Sequence, residues 1–398
     1  MNTSLVLTNA LPQLKSKVLT YAKLRGAFAR VGSDATPYQL ATVFNGSSTK
    51  FGSLPKFSLS DNLANANLKP EQTTSSEVGA ELAFLDSRVT LDASYYDKET
   101  KNQILNLVIP PTSGYLTQAI NAGQISNKGF EATLGVTPLR SDNGLNWTTT
   151  FNYASNKSKV VALTPGLTTV VLGTQRSASV VATAGQPYGQ LTGYTFLRDS
   201  SGNLLTQKGL PIRGPVAVLG NVNPRWVGGW NNEFKYKRLT GSFLLDFHVG
   251  GQFFSNTNMM CDQSGMCANT LRGREVDWNK PGIVVKGIDQ ATGQANTTNV
   301  TSEQYFQSLW LFNQAYTYTD TYIKLREVRL GYDLPSSFAN RFSAQTINVA
   351  LVGRNLWTDT NVPNIDPEFT YNTGNAQGLE FAPMPTTRSI GITFQVTP

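Results

Sequence analysis

One histidine and two cysteines in 398 residues leave this chain short of the side chains from which most catalytic and metal sites are built. It also lacks any run of the roughly 18 apolar residues that a spanning helix needs, since even Phe243-Leu244-Leu245 is broken at once by Asp246. With 40% hydrophobic residues and a mean hydropathy of −0.23 it has enough apolar material for a large core, yet it is too polar for a helical membrane protein. Charge is sparse, at 15% of residues, and the net +7 is scattered over many segments, which argues against a nucleic-acid footprint. Met1 to Leu14 show no basic segment followed by an apolar one, so no secretory signal is read there. If the protein is exported, its true N-terminus is expected to lie upstream.

What is present in abundance is alternation with a period of two, the signature of strands whose successive side chains point to opposite faces. It recurs about ten times. In Leu145 to Tyr153, Leu145, Trp147, Phe151 and Tyr153 share one face, and Asn146, Thr148, Thr150 and Asn152 the other. The same pattern sets Val78, Ala80, Leu82 and Phe84 against Glu77 and Glu81. It sets Val89, Leu91, Ala93 and Tyr95 against Thr90, Asp92 and Ser94, and Phe130, Ala132, Leu134 and Val136 against Glu131 and Thr133. Phe243, Leu245, Phe247 and Val249 oppose Asp246 and His248, and Ile390, Ile392, Phe394 and Val396 oppose Ser389, Thr393 and Gln395. Weaker versions run over 21–31, 226–236, 323–332 and 347–357. Between Lys324 and Leu330 the alternation slips, as a bulge would cause.

The links between these strands alternate in length. Asp86-Ser87, residues 139–144 and the junction between Tyr236 and Leu239 read as tight hairpins, and Asp333 to Gln345 as an intermediate turn. Residues 32–75, 99–126, 158–223, 251–320 and 358–386 read as long connections rich in Gly, Asn, Ser, Thr and Pro. Short turns at one end and long loops at the other are expected of an antiparallel transmembrane β-barrel, with short periplasmic turns and long extracellular loops. Strands of ten to thirteen residues match the roughly 9–11 that cross a membrane at a tilt. The alternative is a soluble all-β sandwich or propeller serving as a binding or adhesion module.

Several motifs lie in order along nearly the whole chain: Lys23-Leu24-Arg25-Gly26, Val31-Gly32-Ser33-Asp34, Asn127-Lys128-Gly129-Phe130-Glu131 and Leu219 to Trp226. They continue with Tyr322-Ile323-Lys324-Leu325-Arg326, Leu330 to Pro335, Gly353-Arg354-Asn355-Leu356-Trp357, Asp366-Pro367-Glu368 and Pro385-Thr386-Thr387-Arg388. In these the chain resembles the C-terminal barrel of the SusC/RagA family of TonB-dependent outer-membrane transporters of Bacteroidetes. The resemblance implies a large plugged barrel in the cell outer membrane, opened by TonB. It also implies a SusD-like surface lipoprotein that delivers oligosaccharide or peptide, and a wall against lipopolysaccharide and outer-membrane lipid. Such barrels have about 22 strands, so ten strands make roughly the C-terminal half, and residues 1–398 are read as one partial barrel domain without plug, TonB-contacting segment or signal peptide. The ending Phe394-Gln395-Val396-Thr397-Pro398 departs from a terminal aromatic. Open edges would each leave backbone groups unpaired at several kcal/mol in lipid. The other half is therefore expected in a missing N-terminal region, unless the gene is truncated or the strands close on themselves as a small porin.

No enzyme is expected. Alternation puts Asp246 on the face of His248, as for a carboxylate-oriented base, but no nucleophile accompanies the pair, which reads as barrel-wall polarity. No cofactor-binding or metal-ligating residues are expected; Gly228-Gly229 and Gly250-Gly251 lack the context of a phosphate loop and read as bends or close backbone approaches. Cys261 and Cys267 fall short of a four-ligand metal site and would most simply form a small-loop disulfide. Trp147, Phe151, Tyr153, Trp226, Trp230, Tyr236 and Trp357 are assigned to interfacial girdles or wall packing. The substrate-binding candidates are the loop aromatics Tyr115, Phe253, Phe254, Trp278, Trp310 and Tyr371, among Asn, Gln and Asp neighbours suited to sugars. The competing reading is that these rings hold the loops together or contact a capping partner. Asp366-Pro367-Glu368 looks like a calcium or ligand feature, but the family resemblance implies a loop signature there, and its Pro suggests a fixed turn.

Overall fold

The computed structural model describes residues 1–274, 281–368, 374 and 377–397. Ten long strands carry the architecture: β1 (Leu19–Ser33), β2 (Glu71–Phe84), β3 (Val89–Val108), β4 (Thr117–Leu139), β5 (Leu145–Leu163), β6 (Trp226–Tyr236), β7 (Leu239–Val249), β8 (Tyr322–Asp333), β9 (Thr346–Thr360) and β10 (Ser389–Thr397). The chain divides into two compact units, one of Met1–Leu134, Ala154–Val171 and Ala182–Tyr188, the other of Gly135–Tyr153, Leu172–Val181 and Gly189–Pro398. Strands β4 and β5 contribute residues to both.

In the first unit a short strand, Asn2–Val6, pairs antiparallel with β1, and the order continues β1, β2, β3, β4, β5. Register places Lys23 opposite Glu81 and Glu81 opposite Asp92, so one face is charged; Leu24, Ala80 and Ala93 fall on the other. The β2–β3 hairpin turns through Leu85, Asp86 and Ser87, all with positive φ, and closes with Arg88 N–H donating to Leu85 O at 3.1 Å. Here the structure differs from the sequence expectation: residues 99–126 are mostly strand, because β3 runs for 20 residues and β4 for 23. The stretch from Asp97 to Asn102 is polar on both faces. A strand that leaves the apolar layer has no greasy side to alternate, so its hydrogen-bond ladder continues after the sequence signal has faded.

In the second unit the order is β5, β6, β7, β8, β9, β10. Strands β6 and β7 pair without interruption from Trp226↔Val249 to Tyr236↔Leu239 around a two-residue turn, with Lys237 at φ +52°. The slip expected in β8 is present. Register shifts on both sides of it leave Arg326 with no residue opposite on β7 or β9. That single extra residue keeps Lys324, Arg326, Glu327, Arg329 and Asp333 on the polar side while Leu325, Val328, Leu330 and Tyr332 share the other.

The opposite face of this wall is aromatic. Trp147 stacks on Phe234 at 5.7 Å, Tyr153 on Trp226 at 5.6 Å, and Trp230 meets Phe243 edge-on at 5.8 Å. Two of the indole N–H groups find partners within the wall, Trp147 donating to Asn232 at 3.1 Å and Trp230 to Thr149 at 2.7 Å. Gly228 belongs there because a Cβ would lie 2.5 Å from the Asn152 carbonyl oxygen, the close backbone approach expected of it.

Among the described residues, the connection between β7 and β8 holds short helices and strands of its own. A helix at Asn256–Gln263 is capped by Ser255, whose Oγ accepts from Asn258 N–H at 3.1 Å, and one at Ser302–Ser308 has a Thr301/Gln304 capping box. These pack with Phe254, Met259, Phe312, Tyr316 and Leu379, and with Val180 and Leu191 of two paired strands, into one buried core.

Candidate functional site

Two charged constellations stand on the polar sides of the strands. The first, in the first unit, follows from register alone: Arg25 reaches Asp92 at 2.7 Å and Glu81 at 3.2 Å, and Lys23 reaches Glu81 at 2.9 Å. Lys128 on β4 bonds Asp97 on β3 at 2.7 Å. All of these groups keep substantial solvent exposure.

The second, in the second unit, joins a wall strand to a distant loop. Lys324, only 1% exposed, donates to Asp366 and Glu368, each at 2.6 Å, and Arg326 bonds Asp246 at 2.5 Å and Glu368 at 2.7 Å. Thr386 donates to the remaining Asp366 oxygen. The Lys-Leu-Arg of β8 and the Asp-Pro-Glu of the loop are thus two halves of one latch. Burial opposes charging of Glu368, but the hydrogen bonds from Arg326 and Lys324 dominate and hold it at about 2. Beside the latch, His248 stacks on Tyr322 at 5.1 Å and its Nδ1 meets the Asp320 backbone oxygen. Burial pushes the Asp320 carboxyl up to about 6 against the pull of His248 and Lys324. Asp246 and His248 belong to the polar wall, as expected, rather than to a carboxylate–imidazole couple: Asp246 accepts from Arg326.

The loop core decides the fate of the candidate aromatics. Phe253 and Phe254 are 1% and 0% exposed; their rings sit inside the loop packing, and they hold the loops together rather than face a ligand. Two adjacent rings in a stretch read as loop gave no sign of this. Glu380, wholly buried, fixes the same region by accepting from Ser255 at 2.5 Å and from Thr257. Trp310 is half-buried with the Arg176 guanidinium 4.4 Å over its ring, at the rim of a cavity of about 290 Å³. Tyr115, half-buried, lies in the first unit after the turn Pro111–Ser113, whereas Phe253, Phe254 and Trp310 belong to the second. Trp278 and Tyr371 lie outside the described residues. Cys261 and Cys267 are joined in a disulfide, S–S 2.03 Å, between the end of the Asn256–Gln263 helix and the turn that follows it.

Lower on the second unit's polar face, a cavity of about 580 Å³ is lined by wall residues alone, among them Glu233, Lys235, Arg329, Asp333 and Asn348. Asn348 bridges Arg329 and Asp333 at 2.6 and 2.7 Å. Nothing in this array places a nucleophile against a base; what it supplies is a polar surface with charges of both signs.

Comparison with known proteins agrees with this architecture. TonB-dependent receptor P3 of Formosa agariphila is 25% identical over 411 residues, covering 94% of this chain and 39% of its relative; P26 of the same organism is 28% identical, covering 94% and 40%. SusC of Bacteroides thetaiotaomicron is 28% identical over 103 residues, 26% of this chain and 10% of SusC. The chain therefore spans about two-fifths of the length of the curated relatives it matches along most of its own. Among solved structures, the RagAB peptide transporter superposes with a TM-score of 0.73 at 18% identity, over 99% of this chain and 43% of that one, a likeness of fold. Residues 17–356 match the family described as "TonB dependent receptor-like, beta-barrel", and with that match over most of its length the chain belongs to this family of outer-membrane β-barrels.

Proposed function

We propose that this chain forms wall strands and extracellular loops of a TonB-dependent importer of oligosaccharides or peptides, with no covalent chemistry of its own. The observation that carries this reading is the pairing of opposite faces on the same strands. Ile390, Ile392 and Phe394 are 72%, 66% and 69% exposed along β10, and Leu330, Tyr332 and Leu351 are exposed on the neighbouring strands. The other side of β7 and β8 carries the latch and the polar cavity. Leaving large apolar side chains in water forgoes roughly 1.5–3 kcal/mol each, a cost that vanishes if that face meets lipid. The plug and the TonB-contacting segment would belong to the part of the protein that corresponds to the remaining length of the relatives.

A SusD-like lipoprotein is the partner we assign to the first unit's loop at 34–70. There the hairpin Phe44–Gly46/Phe57–Leu59 and the turn at Phe51 display rings that nothing in the unit covers. Trp310 and Tyr115 are the loop aromatics retained as ligand contacts. The test is expression in an outer-membrane host followed by detergent partition and gel mobility with and without boiling. A heat-modifiable, detergent-extracted band supports the wall reading, and loss of uptake of one oligosaccharide or peptide class on gene deletion supports import. A chain soluble without detergent would instead be a β-rich binding module, and conductance by the isolated chain would make it a small porin.

A further inference from the structure

The strong cations of the second unit's latch all have carboxylate partners, whereas two arginines of its loop module have none among the described residues. Arg176 sits at the tip of the hairpin between Thr169–Gln175 and Ala178–Thr183, and Arg213 begins the strand Arg213–Asn221. Both line the cavity of about 290 Å³ together with Trp310, Tyr194, Ser177 and Asn313. Each guanidinium lies over a ring, Arg176 4.4 Å from Trp310 and Arg213 4.3 Å from Tyr194. A cation–π contact limits the freedom of the arginine without consuming any of its N–H donors. The cavity thus holds two oriented, unneutralised forks, the arrangement that recognises a carboxylate in two-pronged fashion.

We infer that this cavity binds the carboxylate of an acidic sugar, a uronic-acid unit of an oligosaccharide, which rests on the import reading above and narrows its substrate class. The strand that carries Tyr194 into the cavity favours a sugar over an acidic peptide. An extended peptide would need free main-chain groups for strand-wise pairing, but the strand Gln190–Phe196 is occupied on both sides. Arg213–Asn221 pairs one edge, and Ala178–Thr183 pairs the other as far as Thr192. Beyond that point Tyr194 N–H donates to Asn313 Oδ1 at 2.9 Å and Phe196 N–H to Gln314 Oε1 at 3.0 Å. Gly193 permits this closure, since a Cβ there would fall 2.5 Å from that of Asn313. What that strand leaves to meet a ligand is side chains, and the cavity adds two forks for the carboxylate and Ser177 for sugar hydroxyls. The cavity lies at the small end of ligand pockets, which suits one ring of a chain that continues into solvent.

The experiment is calorimetric titration of the full chain in detergent with tri-galacturonate, maltotriose and tri-glutamate. Tri-galacturonate is expected to bind, to weaken with added salt, and to lose at least tenfold in affinity in the Arg176→Gln/Arg213→Gln protein. The Arg176→Lys/Arg213→Lys protein keeps the charge without the fork and is expected to recover only part of the loss. Equal binding of maltotriose, equal or tighter binding of tri-glutamate, no binding at millimolar concentration, or unchanged affinity in the glutamine variant would each overturn the inference. Heat-modifiable mobility of the same samples reports separately on the wall: a modifiable chain that fails to bind sinks only this assignment, and an unmodifiable one sinks the import reading.

Discussion

The two charged constellations use the same residue types and differ in what they join. Lys23, Arg25, Glu81 and Asp92 link neighbouring strands of the first unit, at side-chain exposures of 26% to 48%. Lys324, Arg326, Asp246, Asp366 and Glu368 link a strand of the second unit to residues more than forty positions away in a loop, around a lysine that is 1% exposed. Exposed ion pairs contribute about 0–1 kcal/mol, whereas removing one member of a buried set costs about 3–5 kcal/mol because the partners keep their desolvated charge. The first constellation therefore decorates a register that hydrogen bonding already fixes, and the second holds a loop in place.

The largest effect should come from inserting one alanine between Val328 and Arg329. The added residue reverses the faces beyond it, so either Lys324, Arg326 and Glu327 or the pair Arg329 and Asp333 must turn to the apolar side, where an arginine costs roughly 2–4 kcal/mol near the membrane midplane. The expected outcome is loss of the heat-modifiable band, and an insertion that folds normally would show that the alternation of β8 does not set the faces. Next, Lys324→Met should destabilise by about 3–5 kcal/mol and expose the 358–386 loop to limited proteolysis. Its counterpart Arg25→Gln should change the unfolding free energy by no more than about 1 kcal/mol. Equal losses in the two variants would erase the distinction between them. Replacing both cysteines by serine should cost about 2 kcal/mol for so short a loop, read as faster proteolysis around 256–274 with the wall strands still protected.

Acid separates the same regions more gently. The carboxyl of Glu368, lowered to about 2 in the fold, contributes stability that is present above its unfolded value near 4.5 and lost as pH falls toward 2. Asp320 has the opposite sign. Raised to about 6, it stabilises fully below its unfolded value of 3.8, and that contribution is lost as pH rises through 6. Proteolytic susceptibility of the 358–386 loop should therefore pass through a minimum between these limits. A monotonic profile would mean that the latch is not what holds the loop.

Much of the wall was legible in the sequence. The ten strands, the tight turns at Asp86-Ser87 and Lys237-Arg238, the slip in β8 and the pairing of Cys261 with Cys267 all leave local signals, in alternation, turn residues or spacing. The extension of β3 and β4 into the region taken as loop was not legible, because a strand wetted on both faces carries no period. The site was read least well. Asp366-Pro367-Glu368 looked like a turn motif and Tyr322 to Arg326 like a strand, and neither segment announces that the other is its partner. Phe253 and Phe254 looked like loop aromatics available to a ligand, since burial inside folded loops is a property of what packs over them.

Alternation, turn residues and the single inserted position at Arg326 act through covalent geometry over a few residues, so the sequence by itself determined which side of each strand is greasy and which is charged. Which loop is tied to which strand, which ring is buried and which arginine is left without a carboxylate depend on contacts such as Tyr194 with Asn313, 119 positions apart, and Ser255 with Glu380, 125 apart. No local preference encodes those pairings. They exist only once the strands have fixed the ends of the loops in space, and so the tertiary structure alone decided them.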